Sequence, residues 1–365
     1  MVVIRPHAAE YETAVAEFNG RLKAGGCAFS FRPSPPAAGD QSWSAFVAVD
    51  AGNARSAIVR GGYLAVRHPF LVAGEDIDVY HLKLPLSEGA VNRKYSRVGL
   101  QLLVDAGRRY PLSFALGMGG RGGALAKMLA LLGWKLVDVR FFFRVTRPSR
   151  FFREITFLRT TRPRAFAFDV LAASGLGNGM LGVHAWLERP MWRARGIRAS
   201  EVPDWGDGDF IDRIWEKGGP QMAFAARRDA ARVGALYPAA DRRFLRLRVA
   251  RAGQAIGWAA MLDTRLAGHK QFGNMRLGSL VDGFALPGEE RYVVRAATRF
   301  LRRRGVDLIV SNQSAPGWCD GMLANGWMEG PSNFALALSK ELAARLGPDA
   351  ALHVTRGDGD GPIHL

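Results

Sequence analysis

The segment Asp78-Val79-Tyr80-His81-Leu82-Lys83-Leu84-Pro85 brings a carboxylate, an imidazole and an ammonium group onto one short run of residues. Its pattern is that of a strand. Alternation would then send Asp78 and Tyr80 to one face and His81 and Lys83 to the other, so Asp78 and His81 share a cleft only if a bulge intervenes. After a polar gap comes Lys94-Tyr95-Ser96-Arg97-Val98-Gly99-Leu100-Gln101-Leu102-Leu103, a basic, glycine-containing loop running into the start of a helix. Strand, loop and helix in that order present free main-chain N–H groups from Ser96 to Leu100 at the positive end of a helix dipole. That is where a pyrophosphate can sit, and a carrier such as coenzyme A supplies one.

A second glycine-rich loop, Gly117-Met118-Gly119-Gly120-Arg121-Gly122-Gly123, follows a strand-like segment. Its backbone can approach a ligand closely, and Arg121 could pair with a phosphate. The only two cysteines, Cys27 and Cys319, lie far apart and outside any Cys/His ligand spacing, so neither a metal site nor a disulfide framework is expected. The opening Met1-Val2-Val3-Ile4-Arg5-Pro6-His7 lacks the apolar core of a signal peptide, and the expected location is the cytoplasm.

The elements that must position these residues belong to a chain of 365 residues, long enough for two domains or one large one. Its 48% hydrophobic and 23% charged residues are those of a globular protein with a sizeable core. Lys and Arg number 50 against 33 Asp and Glu, and the net charge of +17 favours anionic partners. From Ala165 to Leu187 the only charge is Asp169, near the length of a membrane span. Its several glycines, Asn178 and His184 argue instead for a buried or membrane-surface connector.

Strand patterns fall at Val2–Ile4, Trp43–Val49, Ala54–Val66, Ile77–Leu84, Leu112–Leu116 and Val137–Val145, with helices at Ala8–Ala24, Val98–Arg109 and Gly123–Leu132. Pro148 to Pro203 reads as a linker region, at first basic and aromatic, then glycine-rich. The order then recurs: strands at Ile197–Ala199, Phe244–Val249, Ala255–Leu262, Arg276–Val281, Leu308–Ser311 and Phe334–Leu338, helices at Asp209–Lys217, Glu290–Arg304 and Gly317–Ala324. Leu131-Leu132-Gly133-Trp134 and Ala324-Asn325-Gly326-Trp327 close corresponding helices, glycine suiting a left-handed cap and tryptophan opening a strand. The expected organisation is a duplicated α/β architecture.

On these residues the chain resembles the GNAT superfamily of N-acyltransferases, as two tandem copies in a FemAB-like arrangement. The family signature Q/R-x-x-G-x-G/A falls on Lys94-x-x-Arg97-x-Gly99, with Arg97 in place of the central glycine. Leu82-Lys83-Leu84-Pro85 looks like the strand whose splay admits the pantetheine arm, and Leu132-Gly133-Trp134 like the family's closing Leu-Gly-Phe. The resemblance implies mixed, mostly antiparallel sheets in an N-terminal domain over 1–147 and a C-terminal domain over 196–345, with a linker at 148–195 and a flexible tail at 346–365. It implies acetyl-CoA or another acyl-CoA as cosubstrate, contacted by Leu82, Leu84, Lys94, Ser96, Arg97, Val98, Gly99, Leu100 and Arg121. Asp78 and His81 are the candidate proton acceptors for a small-molecule or peptide amine, with a main-chain N–H near Leu84 at the thioester carbonyl.

The second copy carries Gly288-Glu289-Glu290 where a pyrophosphate would want donors, and reads as degenerate for cofactor. Gly123 to Trp134 holds no Tyr, Ser or Cys, which leaves the leaving-group acid unassigned. Asp282, Asn312 and Trp318 fall near strand ends, available to an acceptor or to turn chemistry. Two alternatives stand beside acyl transfer: a fold-conserving binding protein with a decayed site, and nucleic-acid or peripheral membrane contact through Phe151, Phe152, Arg153, Phe157, Arg159, Arg162 and Arg164. No recognisable nucleic-acid motif accompanies that stretch.

Overall fold

The computed structural model describes residues 2–33, 42–50, 57–156, 196–206 and 208–359. They form two compact units that are not consecutive in sequence. The first comprises Met1–Asp138 and Asn333–Ala350, the second Val139–Ser332 and Ala351–Leu365.

In the first unit the chain runs β1 (Val2–Pro6), α1 (Glu12–Ala24), β2 (Trp43–Asp50), β3 (Ile58–Val72), β4 (Glu75–Ser87), α2 (Ser96–Arg109), β5 (Ser113–Leu116), α3 (Ala124–Leu131) and β6 (Lys135–Asp138). It then enters the second unit with β7 (Arg140–Val145), α4 (Pro148–Glu154), β8 (Ile197–Val202), α5 (Asp209–Gly218), β9 (Phe224–Ala226) and α6 (Ala230–Leu236). There follow β10 (Leu245–Arg251), β11 (Gln254–Arg265), β12 (Arg276–Ala285), α7 (Glu290–Arg304), β13 (Leu308–Gln313), α8 (Pro316–Ala324) and β14 (Met328–Gly330). The chain returns to the first unit for β15 (Ala335–Leu338) and α9 (Lys340–Leu346), and ends in the second with β16 (Leu352–His353) and a 3-10 turn at Arg356–Asp358.

The two main sheets have one topology. In the first unit the order is β1-β2-β3-β4-β5-β15-β6, and in the second, reversed, β8-β10-β11-β12-β13-β7-β14. Along each order neighbours are antiparallel, except for the parallel pairs β4/β5 and β12/β13. The sixth place in each sheet is filled from the other half of the sequence. β15 lies between β5 and β6, whereas β7 lies between β13 and β14.

This exchange corrects two sequence expectations. Val137–Val145 is not one strand but two, divided at the crossing between units, and Ala335–Leu338 completes the first unit rather than the second. A strand's apolar pattern is equally satisfied by either sheet, so pairing choice leaves no local signal. The flexible tail is corrected over residues 346–358, while 360–365 lie outside the described residues. α9 forms through Leu346, and Leu352, His353, Val354, Thr355 and Asp358 are all buried. Runs of Gly and Asp resemble a disordered terminus in composition, while the burial is decided by distant partners.

The helices sit where apolar spacing puts them. Val98, Leu102, Leu103 and Ala106 of α2 pack on one sheet face with Leu82, Ala115, Leu129 and Trp134. Ala14, Val15, Phe18 and Leu22 of α1 pack with Val47, Val59 and Leu64. Each fully buried leucine or phenylalanine contributes about 1.5–3 kcal/mol. The twin helix closures are as expected: Gly133 and Gly326 have φ of 81° and 70°. Trp134 N–H donates to Leu129 O at 3.0 Å and Trp327 N–H to Met322 O at 3.1 Å, the bonds of a Schellman cap. Residues 157–195, including Phe157, Arg159, Arg162, Arg164 and the 165–187 stretch, lie outside the described residues; Phe151 is buried against Ile155, Met275 and Leu308. No helix among the described residues is long and apolar enough to cross a membrane.

Candidate active site

β4 and β5 pair only at Tyr80↔Ser113 and His81↔Phe114; beyond these residues the parallel ladder ends while β4 continues to Ser87. The parting coincides with a bulge. Gly62 lies opposite Leu86 and Leu64 opposite Lys83, so Leu84 and Pro85 together face the single residue Tyr63. Two residues against one bend the strand, and Pro85 has no N–H to offer a ladder. Leu82 and Leu84 therefore lie on the part of β4 that leaves its neighbour.

The loop from β4 to α2 is pinned from beneath. Glu88 is buried and accepts from Arg21 Nε at 3.1 Å and from Arg60 Nη1 at 3.0 Å. The Arg60 guanidinium also covers the Tyr95 ring at 4.1 Å. Asn92 Oδ1 accepts from Lys94 N–H at 3.1 Å, and a Cβ at Gly89 would stand 2.6 Å from Tyr95 O, so only glycine fits there. None of Glu88, Arg21, Arg60 or Asn92 was singled out from sequence. Opposite charges 28 and 67 residues apart carry no local mark.

On this base α2 opens at Ser96. Tyr95 at its N-cap makes no side-chain cap, and no acidic residue stands in its first turn. Ser96 N–H, expected to be free, already donates to Arg93 O in the preceding 3-10 turn, whereas the amides of Arg97 and Val98 have no carbonyl within the helix to receive them, so this end attracts anions. Arg93, Lys94, Ser96 and Arg97 are exposed around it, Val98 turns into the core, Gly99 is half-buried and Leu100 is exposed. A Cβ on Gly99 would lie 3.2 Å from Ser87 Oγ and 4.0 Å from Met128 Cε, so its missing side chain keeps the last residue of β4 close to the first turn of α2.

The remaining sequence candidates are less well placed. Arg121 does lie in the glycine-rich loop after β5, but its guanidinium donates to Asp138 Oδ1 at 2.7 Å and Leu136 O at 3.0 Å. Asp78 and His81 are not brought together. Asp78 pairs with Arg67 at 2.6 Å on a partly exposed stretch of β4, upstream of the parting. His81 is the last paired residue before β4 and β5 separate, buried and stacked on Phe114 at 4.6 Å. Its Nδ1 has no hydrogen-bond partner among the described residues, and burial, with Lys83 and His68 nearby, holds it neutral well below the usual imidazole range.

The second unit repeats the parting and not the anion site. β12 and β13 pair in parallel through Leu280↔Ser311, and the register between β11 and β12 skips Val281 just beyond. At the start of α7, however, Glu289 pairs with Arg251 and Glu290 is half-buried, its carboxyl raised by desolvation. Carboxylates already complement that helix dipole. Asp282, Asn312 and Trp318 are all buried, with Asp282 bonded to Arg228 and Tyr237 and Asn312 to Arg356.

No protein-family model matches the chain, and no curated protein matches it. Solved structures do. A conserved protein of unknown function from Enterococcus faecalis V583, described as a probable N-acyltransferase, aligns with a TM-score of 0.52 and 10% identity, over 95% of this chain and 74% of its own. A GCN5-related N-acetyltransferase from Anabaena variabilis ATCC 29413 aligns with a TM-score of 0.53 and 7% identity, over 94% and 74%. At such identities the likeness is one of fold. With a parallel strand pair that parts beside a helix start in each unit, the chain has the fold of the GNAT-type N-acyltransferases.

Proposed function

We propose that the protein is an N-acyltransferase that takes its acyl group from acyl-CoA held in the first unit and passes it to a primary amine. The observation that carries this reading is the contrast between two equivalent helix starts. That of α2 has no acid and no cap and is ringed by Arg93, Lys94 and Arg97, while that of α7 is occupied by Glu289 and Glu290. The first suits a diphosphate, through the main-chain donors of Arg97 and Val98 and the flanking cations Arg93, Lys94 and Arg97. Leu82 and Leu84, on the departing part of β4, would flank the pantetheine arm.

Transfer requires the amine nitrogen to bond to the thioester carbonyl carbon, the C–S bond to break, and the amine to lose a proton. His81 borders the parting as a neutral imidazole and can accept that proton; Asp78, tied to Arg67, is the second candidate. The test is thermal stabilisation by CoA followed by thiol release from acetyl-CoA over a panel of amino sugars, amino acids and peptides. A ligand at 100 times its Kd adds about 2.7 kcal/mol of stability. No shift with any CoA ester would reject the reading. A second reading, binding without turnover, is favoured by α3, whose residues include no Tyr, Ser or Cys to protonate a leaving thiolate. A shift without thiol release would select it.

A further inference from the structure

Beyond Leu280↔Ser311, the β12 side of β13 is not left to β12. Gln313 forms an antiparallel bridge with Thr355, from the far end of the chain. Around that bridge Arg356 Nε donates to Asn312 Oδ1 at 2.9 Å and Thr355 Oγ1 to Asp282 Oδ1 at 3.1 Å. Val354 N–H donates to Ser314 Oγ at 2.8 Å, which itself donates to Leu352 O at 2.8 Å. His353 lies edge-on to Phe284 of β12 at 5.0 Å and 6.2 Å from Trp318 of α8. Residues 352–358 thus touch both strands of the parted pair.

The segment is locked from below by charge. Arg228, fully buried, donates Nε to Asp282 at 3.2 Å and Nη2 to both oxygens of Asp358 at 2.9 and 2.7 Å. Tyr237 Oη donates to Asp282 Oδ2 at 2.8 Å, and Thr355 and Asp358 cap one another's turn. Gly357 has no room for a side chain: a Cβ there would collide with the Tyr237 hydroxyl.

We infer that residues 352–358 are the resident occupant of the parting between β12 and β13, an internal ligand that leaves the protein one acyl-CoA site instead of two. The inference rests on the proposed function for its count of sites, and on contacts within the second unit for the occupancy itself. Two independent features exclude a cofactor there: the interval holds a bonded peptide segment, and the neighbouring helix start carries its own carboxylates. A segment sealed by a buried Arg–Asp pair is a permanent part of the unit and not a lid, because opening it would break the bidentate Arg228–Asp358 pair in the interior.

Hydrogen exchange of the full chain, read by mass spectrometry and paired with calorimetric titration by CoA, tests this. The amides of 354–358 are expected to exchange as slowly as those of β12 and β13, with one CoA bound per chain. Gly357→Val should raise exchange across 352–358 by about two orders of magnitude while α2 stays protected. Rapid exchange of 352–358 in the unaltered chain, two CoA per chain, or an unchanged segment in a folded Gly357→Val variant would each overturn the inference. Slow exchange without any CoA binding would uphold the occupant and remove the acyl-CoA reading of the first unit. Should Gly357→Val fail to fold, the exchange pattern of the unaltered chain decides.

Discussion

The Arg228 guanidinium meets the Asp358 carboxylate at 2.7 and 2.9 Å across 130 residues of sequence, with both side chains sealed from solvent. Burying two such charges is costly, and the pair persists because each remaining donor or acceptor also has a partner: Ala226 O and Asp282 for the arginine, Thr355 N–H for the aspartate. Removing one member strands the other. Arg228→Met is therefore expected to lower the unfolding free energy by about 3–5 kcal/mol in urea titration. A change within about 0.5 kcal/mol would mean that the pair is not buried in solution.

At the start of α2, Arg97→Glu and Lys94→Glu place negative charge where a diphosphate is proposed to sit. Each should weaken CoA binding about tenfold in calorimetry, with the loss shrinking as salt screens the site. Melting temperature should hardly move, since both side chains are exposed. Arg121→Ala is the control: its guanidinium is engaged with Asp138, so binding should change far less. Equal losses at all three positions would point to a diffuse charge effect.

Acid should destabilise the protein through two buried histidines. His81 and His353 are held neutral by desolvation, well below the ordinary imidazole value near 6.5, so below that pH the unfolded chain binds more protons than the folded one. Their contribution is complete above pH of about 6.5 and is lost as pH falls, at up to about 1.4 kcal/mol per pH unit for each group. His81→Phe should flatten that slope by about one proton while abolishing turnover, if His81 is the proton acceptor. A pH-independent stability between about 5 and 7 would contradict the burial of both rings.

The strand exchange predicts that neither half of the sequence folds alone. A fragment of residues 1–147 lacks β15 and leaves β5 and β6 without the strand between them, and 196–345 lacks β7 between β13 and β14. Both fragments should show collapsed, poorly dispersed NMR spectra. Joining residues 333–350 behind 138 should restore dispersion to the first unit. A well-dispersed spectrum from 1–147 by itself would show that the exchanged strand is dispensable.

Much was legible in the chain because the governing forces are local. Strand alternation, the apolar stripes of α2 and α7, the paired Gly-Trp closures and the acid-free start of α2 each follow from neighbours within a few residues. The Glu289-Glu290 pair likewise announced that the second helix start is spoken for. His81 and Asp78 were visible as chemistry-bearing residues, but their separation into a buried ring and a surface ion pair required the sheet around them.

What the sequence determined by itself is two rounds of one strand–helix order, with a single basic loop suited to an anion. Tertiary structure alone decided which sheet receives β7 and β15, which arginine among the Arg227-Arg228-Asp229 run becomes the buried one, and that residues 352–358 are packed between strands. The physical reason is the same in each case. Periodicity records that a residue will be buried, whereas the identity of its partner depends on which distant segment offers the matching hydrogen bonds and charge.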